Sequence, residues 1–429
     1  MRILLILPPY PGHLDPAMAL AAALQAHDHE LALLTTADGA AHVRRHHGDL
    51  DITVLEIGAT SHPPGHIRQM QEAIASLTNL AAVHAWLDDG ERHGDLICRE
   101  GQSVVARWDP DLVLVDQVEP AGQAVAESLG VPFAVICTAL PLHRDPWHPP
   151  IIVDHAADSA LGRLGQRLLT RWLDWRFARP HQHRIKAWRQ HWGLEERPAA
   201  ERAFARSPWL ELAQTPAAFD LPRRMPVDRL ISTGPCRRSR PATDSATNAA
   251  LTARRGSRGL VFASLGSLQH HRQELFTTLV EGCALAGCDV ILAHGGRLDA
   301  AMLAGLPEHV RPVAWADQAQ VICQVDAVIT HGGINTVLDA IAAAKPLLVI
   351  PLCFEQPAVA ARVRHHELGE VLRPARADAP AVGAALSRLL TEGHGCASRY
   401  IADACRCSGA AEAAAIISRS VRDRMHDAA

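Results

Sequence analysis

The chain has 429 residues, of which 48% are hydrophobic and 21% are charged, and its formal net charge is −4. These values are those of an ordinary globular protein, and 29 glycines with 28 prolines are too few for a collagen-like or linker-dominated chain. The small negative charge gives no general basis for binding nucleic acid, which we do not expect as a partner. At about 150 residues per domain, the length allows two large domains or three smaller ones.

The sequence begins with a basic residue and a short apolar run, as secretory signals also do. The run covers residues 3–7 and stops at Pro8, so it is shorter than the roughly 7–15 residues of a secretory core. No segment approaches the about 18 apolar residues that a spanning helix needs. The ten cysteines are scattered without paired spacing, which is typical of reduced thiols. We therefore expect a buried first strand in a cytoplasmic protein.

Strands and helices are predicted to alternate through the first half of the chain, which favours a parallel, doubly wound sheet. The first loop, over residues 8–12, is rich in proline and is predicted to be non-helical. Asp15 is predicted to cap the first helix, with Pro16 as its first residue. The predicted strands cover 3–7, 30–36, 111–116 and 131–137, and the predicted helices cover 17–26 and 121–129.

A second alternating series follows a segment of different composition. Residues 232–258 are rich in Ser, Thr, Arg, Ala and Pro without apolar periodicity, and we interpret them as an interdomain linker, with a long surface loop as the alternative. Strands are then predicted over 260–264, 290–293, 313–314, 327–330 and 346–351. The predicted organisation is an N-terminal domain over 1–231, the linker, a C-terminal domain over 259–405, and a last helix over 406–429 that can pack back on the N-terminal domain. Ligands are expected in the cleft between the domains.

Residues 163–192 combine eight basic side chains with four tryptophans and a single acid, Asp174. A basic amphipathic segment with tryptophans is typical of contact with an anionic membrane surface, which would make the protein peripheral on the inner face of the membrane. The alternatives are a helical pair that packs its tryptophans inward and, less favoured, a nucleic-acid surface.

A histidine and an aspartate mark the predicted N-terminal sheet as a candidate catalytic site. His13 follows the first strand, and Asp116 ends the strand over 111–116, so both lie at the edge where ligands bind in such sheets. A histidine can act as a general base when a carboxylate holds its tautomer and balances its protonated form. We therefore predict that His13 is the base and Asp116 its partner.

The C-terminal half carries an ordered set of residues suited to a nucleotide. His331 and two glycines follow the strand over 327–330 and lead into a helix near Asn335, whose free N–H groups suit a diphosphate. The Thr336 hydroxyl is predicted to bind the same diphosphate, and Gly333 lets the phosphate approach the backbone closely. We call this diphosphate site the nucleotide cradle. The remaining members are Trp315 as a flat face for a base, Asp339 for a ribose diol, and Glu355 with Gln356 near whatever group the phosphate carries.

Together these segments resemble the nucleotide-sugar signature of family-1 glycosyltransferases, which have the GT-B fold of two Rossmann-like domains facing across a cleft. The resemblance spans residues 3 to about 373, and His13 with Asp116 matches the family's catalytic dyad. It implies that tryptophan stacks on uracil, that the glutamine three residues later contacts ribose, and that the Gly-Ser turn lies near the phosphates. The donor-binding residues it implies are Gly266, Ser267, Trp315, Gln318, His331, Gly333, Asn335, Thr336, Asp339, Glu355 and Gln356.

More narrowly, the phrases DLVLVDQVEPAG and HGGINTVLDAIAAAKPLLVIPLCFEQPAVAARV are similar to those of bacterial carotenoid (zeaxanthin) glucosyltransferases. Ile334 stands where plant relatives have tryptophan, and the acids Asp339 and Glu355 have the opposite lengths to those of plant enzymes. The segment from Trp315 to His331 is also two residues shorter.

The resemblance implies an inverting glucosyltransferase that moves glucose from UDP-glucose to a hydroxyl of a large apolar alcohol, with zeaxanthin as the expected acceptor. UDP-glucose is a co-substrate, and no resident cofactor is expected. The alternatives are a polyketide, sterol or other lipid acceptor with a TDP-sugar donor, a nucleotide-sugar epimerase, and a non-catalytic helper protein. An epimerase does not need the dyad, and a helper is expected to lose it.

The 25 histidines do not indicate a metal site by their spacing. His42 and His46 are four residues apart, but Arg44 and Arg45 lie between them and disfavour a divalent cation. The pairs at 46–47, 270–271 and 365–366 are predicted to lie at the surface. We expect no metal in the reaction.

Overall fold

The computed structural model of the protein describes residues 1–75, 79–197, 204–238, 258–266, 273–296, 298–391 and 399–427. These residues form two parallel β-sheets, each with helices on both faces. The two doubly wound sheets predicted from the alternation of strands and helices are therefore confirmed.

The N-terminal sheet has seven strands in the order β3-β2-β1-β4-β5-β6-β7, and all described pairs are parallel. The strand order reverses between β1 and β4, and such a switch point is where ligands bind in open α/β sheets. The strands are β1 Arg2–Ile6, β2 Glu30–Thr35, β3 Thr53–Glu56, β4 Leu112–Asp116, β5 Phe133–Cys137, β6 Glu211–Ala213 and β7 Leu230–Ser232.

The helices of this half cover both faces of the sheet and give it two separate apolar cores. They are α1 Pro11–Gln25, α2 Ala37–His47, α3 His66–Ala75, α4 Asn79–Leu96, α5 Gln102–Trp108, α6 Pro120–Ser128, α7 Ala160–Leu173 and α8 Arg179–His191, with π-helical turns at Ile97–Gly101 and Asp174–Ala178.

The C-terminal sheet has six parallel strands in the order β10-β9-β8-β11-β12-β13 and repeats the same switch between β8 and β11. Its strands are β8 Leu260–Ser264, β9 Asp289–Ala293, β10 Val310–Val313, β11 Ala327–Thr330, β12 Leu347–Val349 and β13 Gly369–Val371. Its helices are α9 Gln273–Leu285, α10 Ala300–Ala304, α11 Gln318–Gln324, α12 Ile334–Ala342, α13 Gln356–His365, a 3₁₀ turn Pro374–Arg376, α14 Ala379–Thr391 and α15 Arg399–Arg406.

The start of the first helix was predicted wrongly. α1 begins at Pro11, because proline suits the first helical position, and Tyr10 precedes it in an extended conformation. His13 is therefore in the first turn of a helix and not in a loop. Asp15 does not cap the helix, and its carboxylate accepts hydrogen bonds from His42 and His47 instead.

The last helix, α16 Gly409–Asp427, returns to the N-terminal half. Its apolar face joins the core beneath α1 through residues 413, 414, 417 and 421. A buried ion pair of Arg362 with Asp220 also joins the two halves. Across the described residues, every helix is too short or too polar to cross a bilayer.

Candidate active site

The carboxyl ends of three neighbouring strands place the predicted dyad together. His13 Nδ1 lies 3.1 Å from Asp116 Oδ2, and the Asp116 side chain is fully buried at the end of β4. Thr138, one residue past β5, accepts from His13 Nδ1 at 2.8 Å and donates to the same Asp116 oxygen. Because these partners hold Nδ1 as the donor, Nε2 carries the lone pair that can accept a proton. The arrangement is that of a positioned general base.

The charge around His13 favours its protonated form. Burial disfavours the imidazolium, but the charge and hydrogen bond of Asp116 outweigh burial and raise the pKa of His13 above its usual 6.5. The carboxylates of Glu355 and Glu119 add to this effect. Burial in turn raises the pKa of Glu355. Glu355, which the sequence predicts to contact the donor sugar, thus also raises the pKa of His13.

An aromatic wall lies beside His13. The Tyr10 ring is 6.4 Å from the His13 ring and is stacked 6.4 Å from Trp86 on α4. Trp86 is 4.5 Å from Phe354, which belongs to the loop after β12 in the other half. Phe354 has a φ of 54°, a conformation that costs free energy in a residue other than glycine. The wall gives the cleft an apolar side next to the base.

In the C-terminal half, His331 lies between the backbones of two glycines. A Cβ at Gly266 would come within 2.4 Å of the His331 ring, and one at Gly333 within 2.6 Å. Gly266 also has a φ of 72°, which disfavours any other residue. Burial lowers the pKa of His331 to about 4. The neutral form of His331 is therefore favoured in the protein alone, and its ring can offer a hydrogen bond to a phosphate.

Helix α12 begins beside His331, with Gly333 at its N-cap and no side chain accepting its first N–H groups. Such a helix start suits a diphosphate. The Thr336 hydroxyl instead donates to Gln318 Oε1 at 2.9 Å, and Gln318 Nε2 donates to Asp339 Oδ2 at 2.9 Å. Arg237 also pairs with Asp339. The residues predicted for ribose thus form one connected network, which Thr336 joins from the phosphate side.

The remaining predicted donor residues have different surroundings. Trp315 follows β10 and is half exposed. The buried Gln356 side chain accepts from the Leu352 and Cys353 N–H groups at 2.8 and 2.9 Å, so its carbonyl holds its own loop. Its amide nitrogen donates to Cys353 Sγ at 3.5 Å and has one further N–H to offer. Ser267 lies outside the described residues.

Asn335 connects the two halves across the cleft. Its Nδ2 donates to the Gly12 carbonyl at 3.0 Å, next to His13, and its Oδ1 accepts from Gln214 Nε2 at 2.9 Å. Gly12 has a free carbonyl because Pro16, four residues later in α1, has no N–H to offer it. The predicted phosphate-binding helix is therefore in direct contact with the turn that carries the base.

Three residues of the site were missed in the sequence: Thr138, Gln214 and Arg237. Thr138 follows a predicted strand at the same edge as Asp116, and that position was a usable signal. Gln214 follows β6, which is only three residues long and was not predicted. Arg237 lies in the predicted linker, where nothing indicates its contact with Asp339 more than 100 residues away.

The prediction that the histidine pairs lie at the surface is correct for His365, which is exposed, and wrong for His47. His47 is buried because α2 packs it against α1, where it bonds to Asp15. His366 donates to the carbonyls of Phe219 and Asp220. The pair at 270–271 lies outside the described residues.

The chain is similar to known glycosyltransferases. Residues 103–392 match the family model described as UDP-glucoronosyl and UDP-glucosyl transferase. The chain is 33% identical to zeaxanthin glucosyltransferase of Pantoea ananas, over 85% of this chain and 83% of that protein. It is 37% identical to the enzyme of the same name from Pseudescherichia vulneris, over 64% of this chain and 65% of that protein.

Among solved structures, the glycosyltransferase of kitacinnamycin has a similar fold, with a TM-score of 0.71 and 22% identity over 98% of this chain and 99% of that one. The two facing Rossmann-like domains have the GT-B fold. The chain belongs to the UDP-glucuronosyl and UDP-glucosyl transferase family, as the sequence motifs predicted.

Proposed function

We propose that this protein is an inverting glucosyltransferase that moves glucose from UDP-glucose to a hydroxyl of a large apolar alcohol, with zeaxanthin as the expected acceptor. The observation that carries the proposal is the His13–Asp116–Thr138 group, which faces a nucleotide cradle across the cleft. The reaction needs no metal in this account, since helix α12 and the glycine-rich turns around His331 supply the stabilisation of the diphosphate.

The chemistry is a single displacement. His13 Nε2 takes the proton of the acceptor hydroxyl while its oxygen attacks the anomeric carbon, and the bond from that carbon to the diphosphate oxygen breaks. Asp116 balances the imidazolium that forms. The leaving diphosphate meets the uncapped N-terminus of α12, so it needs no acid to protonate it. Attack from the face opposite the diphosphate inverts the anomeric centre.

Two observations support an apolar acceptor. The wall formed by Tyr10, Trp86 and Phe354 lies beside the base and offers aromatic faces to a hydrocarbon chain. The two relatives described above are both named for zeaxanthin, a carotenoid diol. Donor recognition is expected to use Trp315 for the base, the Gln318–Asp339 network for ribose, and Glu355 with the Gln356 amide for the sugar.

The direct test is incubation of the purified protein with UDP-glucose and zeaxanthin in detergent, followed by mass spectrometry. We expect one or two hexose additions to zeaxanthin. Parallel reactions with TDP-glucose and with a polyketide aglycone separate the alternatives. Hexose transfer to the aglycone alone contradicts the acceptor, and conversion of the sugar nucleotide without any glycoside indicates an epimerase.

The pH profile is expected to report the environment of His13. Only neutral His13 can take a proton, and its pKa is raised above 6.5, so kcat/KM should fall as the pH drops through a value above 6.5. In the Asp116→Asn variant the charge that raises this pKa is gone. Its residual activity should be lower at every pH and should fall only at a lower pH. A midpoint that does not move in Asp116→Asn contradicts the pairing.

Replacing Trp86 with alanine is expected to raise the acceptor KM about 10-fold, because a half-buried aromatic side chain contributes roughly 1–3 kcal/mol to an apolar contact. UDP affinity, measured by titration calorimetry, should stay the same, since Trp86 lies on the acceptor side. An unchanged acceptor KM in Trp86→Ala would show that the aromatic wall does not bind the acceptor.

The segment 163–192 divides into two parts. Trp188 and Trp192 pack against the N-terminal core, and Trp188 donates to Asp95 at 2.8 Å, as in the packed-helix interpretation. Several cations of this part are ion-paired, including Arg189 with Glu127. The membrane interpretation therefore narrows to α7 and the turn that follows it.

Helix α7 supports peripheral contact with a membrane. None of its 14 residues is buried. Its apolar side chains recur every three or four residues and are about half exposed or more: Leu161, Leu164, Leu168, Trp172 and, in the following turn, Trp175. Arg167 and Arg171 are exposed on the same helix. Basic and aromatic side chains of this kind bind the headgroup layer of an anionic membrane. Binding through α7 would bring the enzyme to the bilayer surface, where an acceptor dissolved in lipid is accessible.

The double variant Arg167→Gln/Arg171→Gln is expected to bind anionic vesicles about 30-fold more weakly, at about 1 kcal/mol for each arginine. Co-sedimentation with phosphatidylglycerol vesicles at low salt measures this, and high salt should weaken wild-type binding too. The control Arg68→Gln/Arg399→Gln removes two exposed arginines elsewhere. If the wild-type protein did not co-sediment with the vesicles at low salt, α7 would not be a membrane-binding helix.

A further inference from the structure

Two groups of histidine and aspartate side chains outside the dyad bring three metal-ligating atoms within 4.8 Å of one another. One consists of Asp15, His42 and His47, and the other of His62, His66 and Asp89. They differ in whether every ligating nitrogen already has a hydrogen-bond partner.

The first group is satisfied by its own hydrogen bonds. Both His42 Nε2 and His47 Nε2 donate to Asp15 Oδ1, at 2.8 and 2.9 Å. Each of these two nitrogens therefore already has a partner inside the group. These hydrogen bonds connect α1 to α2, and they account for the group without a metal.

The second group contains a buried nitrogen that the protein does not satisfy. His62 is only 4% exposed, and among the described residues its Nε2 has no hydrogen-bond partner. Its Nδ1 lies 3.0 Å from the Ser61 hydroxyl, which can accept the ring proton. That bond leaves the lone pair on Nε2, and a second partner of this kind is typical of histidines that bind metals.

His66 and Asp89 complete the group. His66 Nε2 donates to Asp89 Oδ1 at 2.9 Å, so His66 must release this proton when a metal binds. The separation is compatible with the roughly 3.3 Å between two ligands of a tetrahedral zinc ion with bonds of about 2.0–2.1 Å. We propose that His62, His66 and Asp89 bind a divalent cation of the zinc type, with a fourth position for water. The nearby Arg92 reaches Asp89 Oδ1 at 3.3 Å, but its side chain is 58% exposed and can turn into solvent.

The cation would serve structure and not the transfer reaction. It would join the turn before α3, which carries His62, to α4, which carries Asp89. Trp86 lies one helical turn before Asp89, so the bound ion would fix the helix that forms the aromatic wall. The proposal does not depend on which sugar or acceptor the enzyme uses.

The test is titration of the full-length, chelator-treated protein with Co²⁺, read by its visible absorption, and then with Zn²⁺. We expect one equivalent of Co²⁺ to bind and to be displaced by Zn²⁺, and the melting temperature to rise with Zn²⁺. His62→Ala should abolish the absorption. Ser61→Ala, a change at an exposed residue, should weaken Zn²⁺ binding about 10-fold or more through loss of the second partner.

The matched control is His42→Gln in the other group, which should bind Co²⁺ as the wild type does. Circular dichroism confirms that each variant is folded. A wild type without Co²⁺ absorption, absorption that persists in folded His62→Ala, or absorption lost in His42→Gln would each overturn the proposal. Unchanged Zn²⁺ affinity in Ser61→Ala would do so as well.

Discussion

Replacing His13 with alanine is expected to lower turnover by about 10²-fold or more, while UDP binds within a few-fold of wild type. The reason is that a positioned general base contributes on the order of 10²–10⁴ in rate. His13 is held for this role by Asp116 and Thr138 and does not belong to the nucleotide cradle. Steady-state kinetics and UDP calorimetry on the same preparation separate the two effects.

A second histidine provides the control for this experiment. His155 pairs with Asp154 at 3.0 Å, and its side chain is 56% exposed, away from the dyad. His155→Ala should therefore keep wild-type turnover. If His13→Ala turned over as fast as wild type, the protein would not use this histidine as its base.

Replacing Gly266 with alanine is expected to weaken UDP binding about 100-fold. The added Cβ would come within 2.4 Å of the His331 ring, so the ring must move away from this turn. Alanine is also strained at the φ of 72° that Gly266 adopts. His331 must therefore leave the cradle. Calorimetric titration with UDP measures the loss.

Gly90 is the matched control, because a Cβ there meets nothing within 4 Å. It lies within α4, where alanine is more favourable than glycine by about 1 kcal/mol. Gly90→Ala should bind UDP normally and melt slightly higher. Wild-type UDP affinity in Gly266→Ala would mean that His331 takes no part in holding the phosphates.

Much of the fold follows from local patterns in the sequence. The strands Leu260–Ser264 and Ala327–Thr330 have the predicted bounds, because both are continuous apolar runs between clear turn signals. The short strands β3, β6 and β7 were not predicted. They have only three or four residues, and their extended conformation depends on pairing with a neighbour.

The candidate site also contains residues that local sequence predicts and contacts that only the tertiary structure creates. His13, Asp116 and the residues around His331 were found because each stands at the end of a predicted strand. The link from Asn335 to Gly12 joins residues 323 positions apart, and only the packing of the two halves creates it. Burial also depends on the packing of distant segments and cannot be read from local sequence. It lowers the pKa of His331, and it places His47 in the core and not at the expected surface.

The central claim is a single displacement in which His13 activates the acceptor hydroxyl opposite the diphosphate. The most direct measurement is the anomeric configuration of the glycoside formed from UDP-glucose, read by NMR from the coupling of its anomeric proton. UDP-glucose is an α-glycoside, so one displacement predicts a β-glucoside. An α-glucoside would require retention of configuration, and it would contradict the role given to His13 and Asp116.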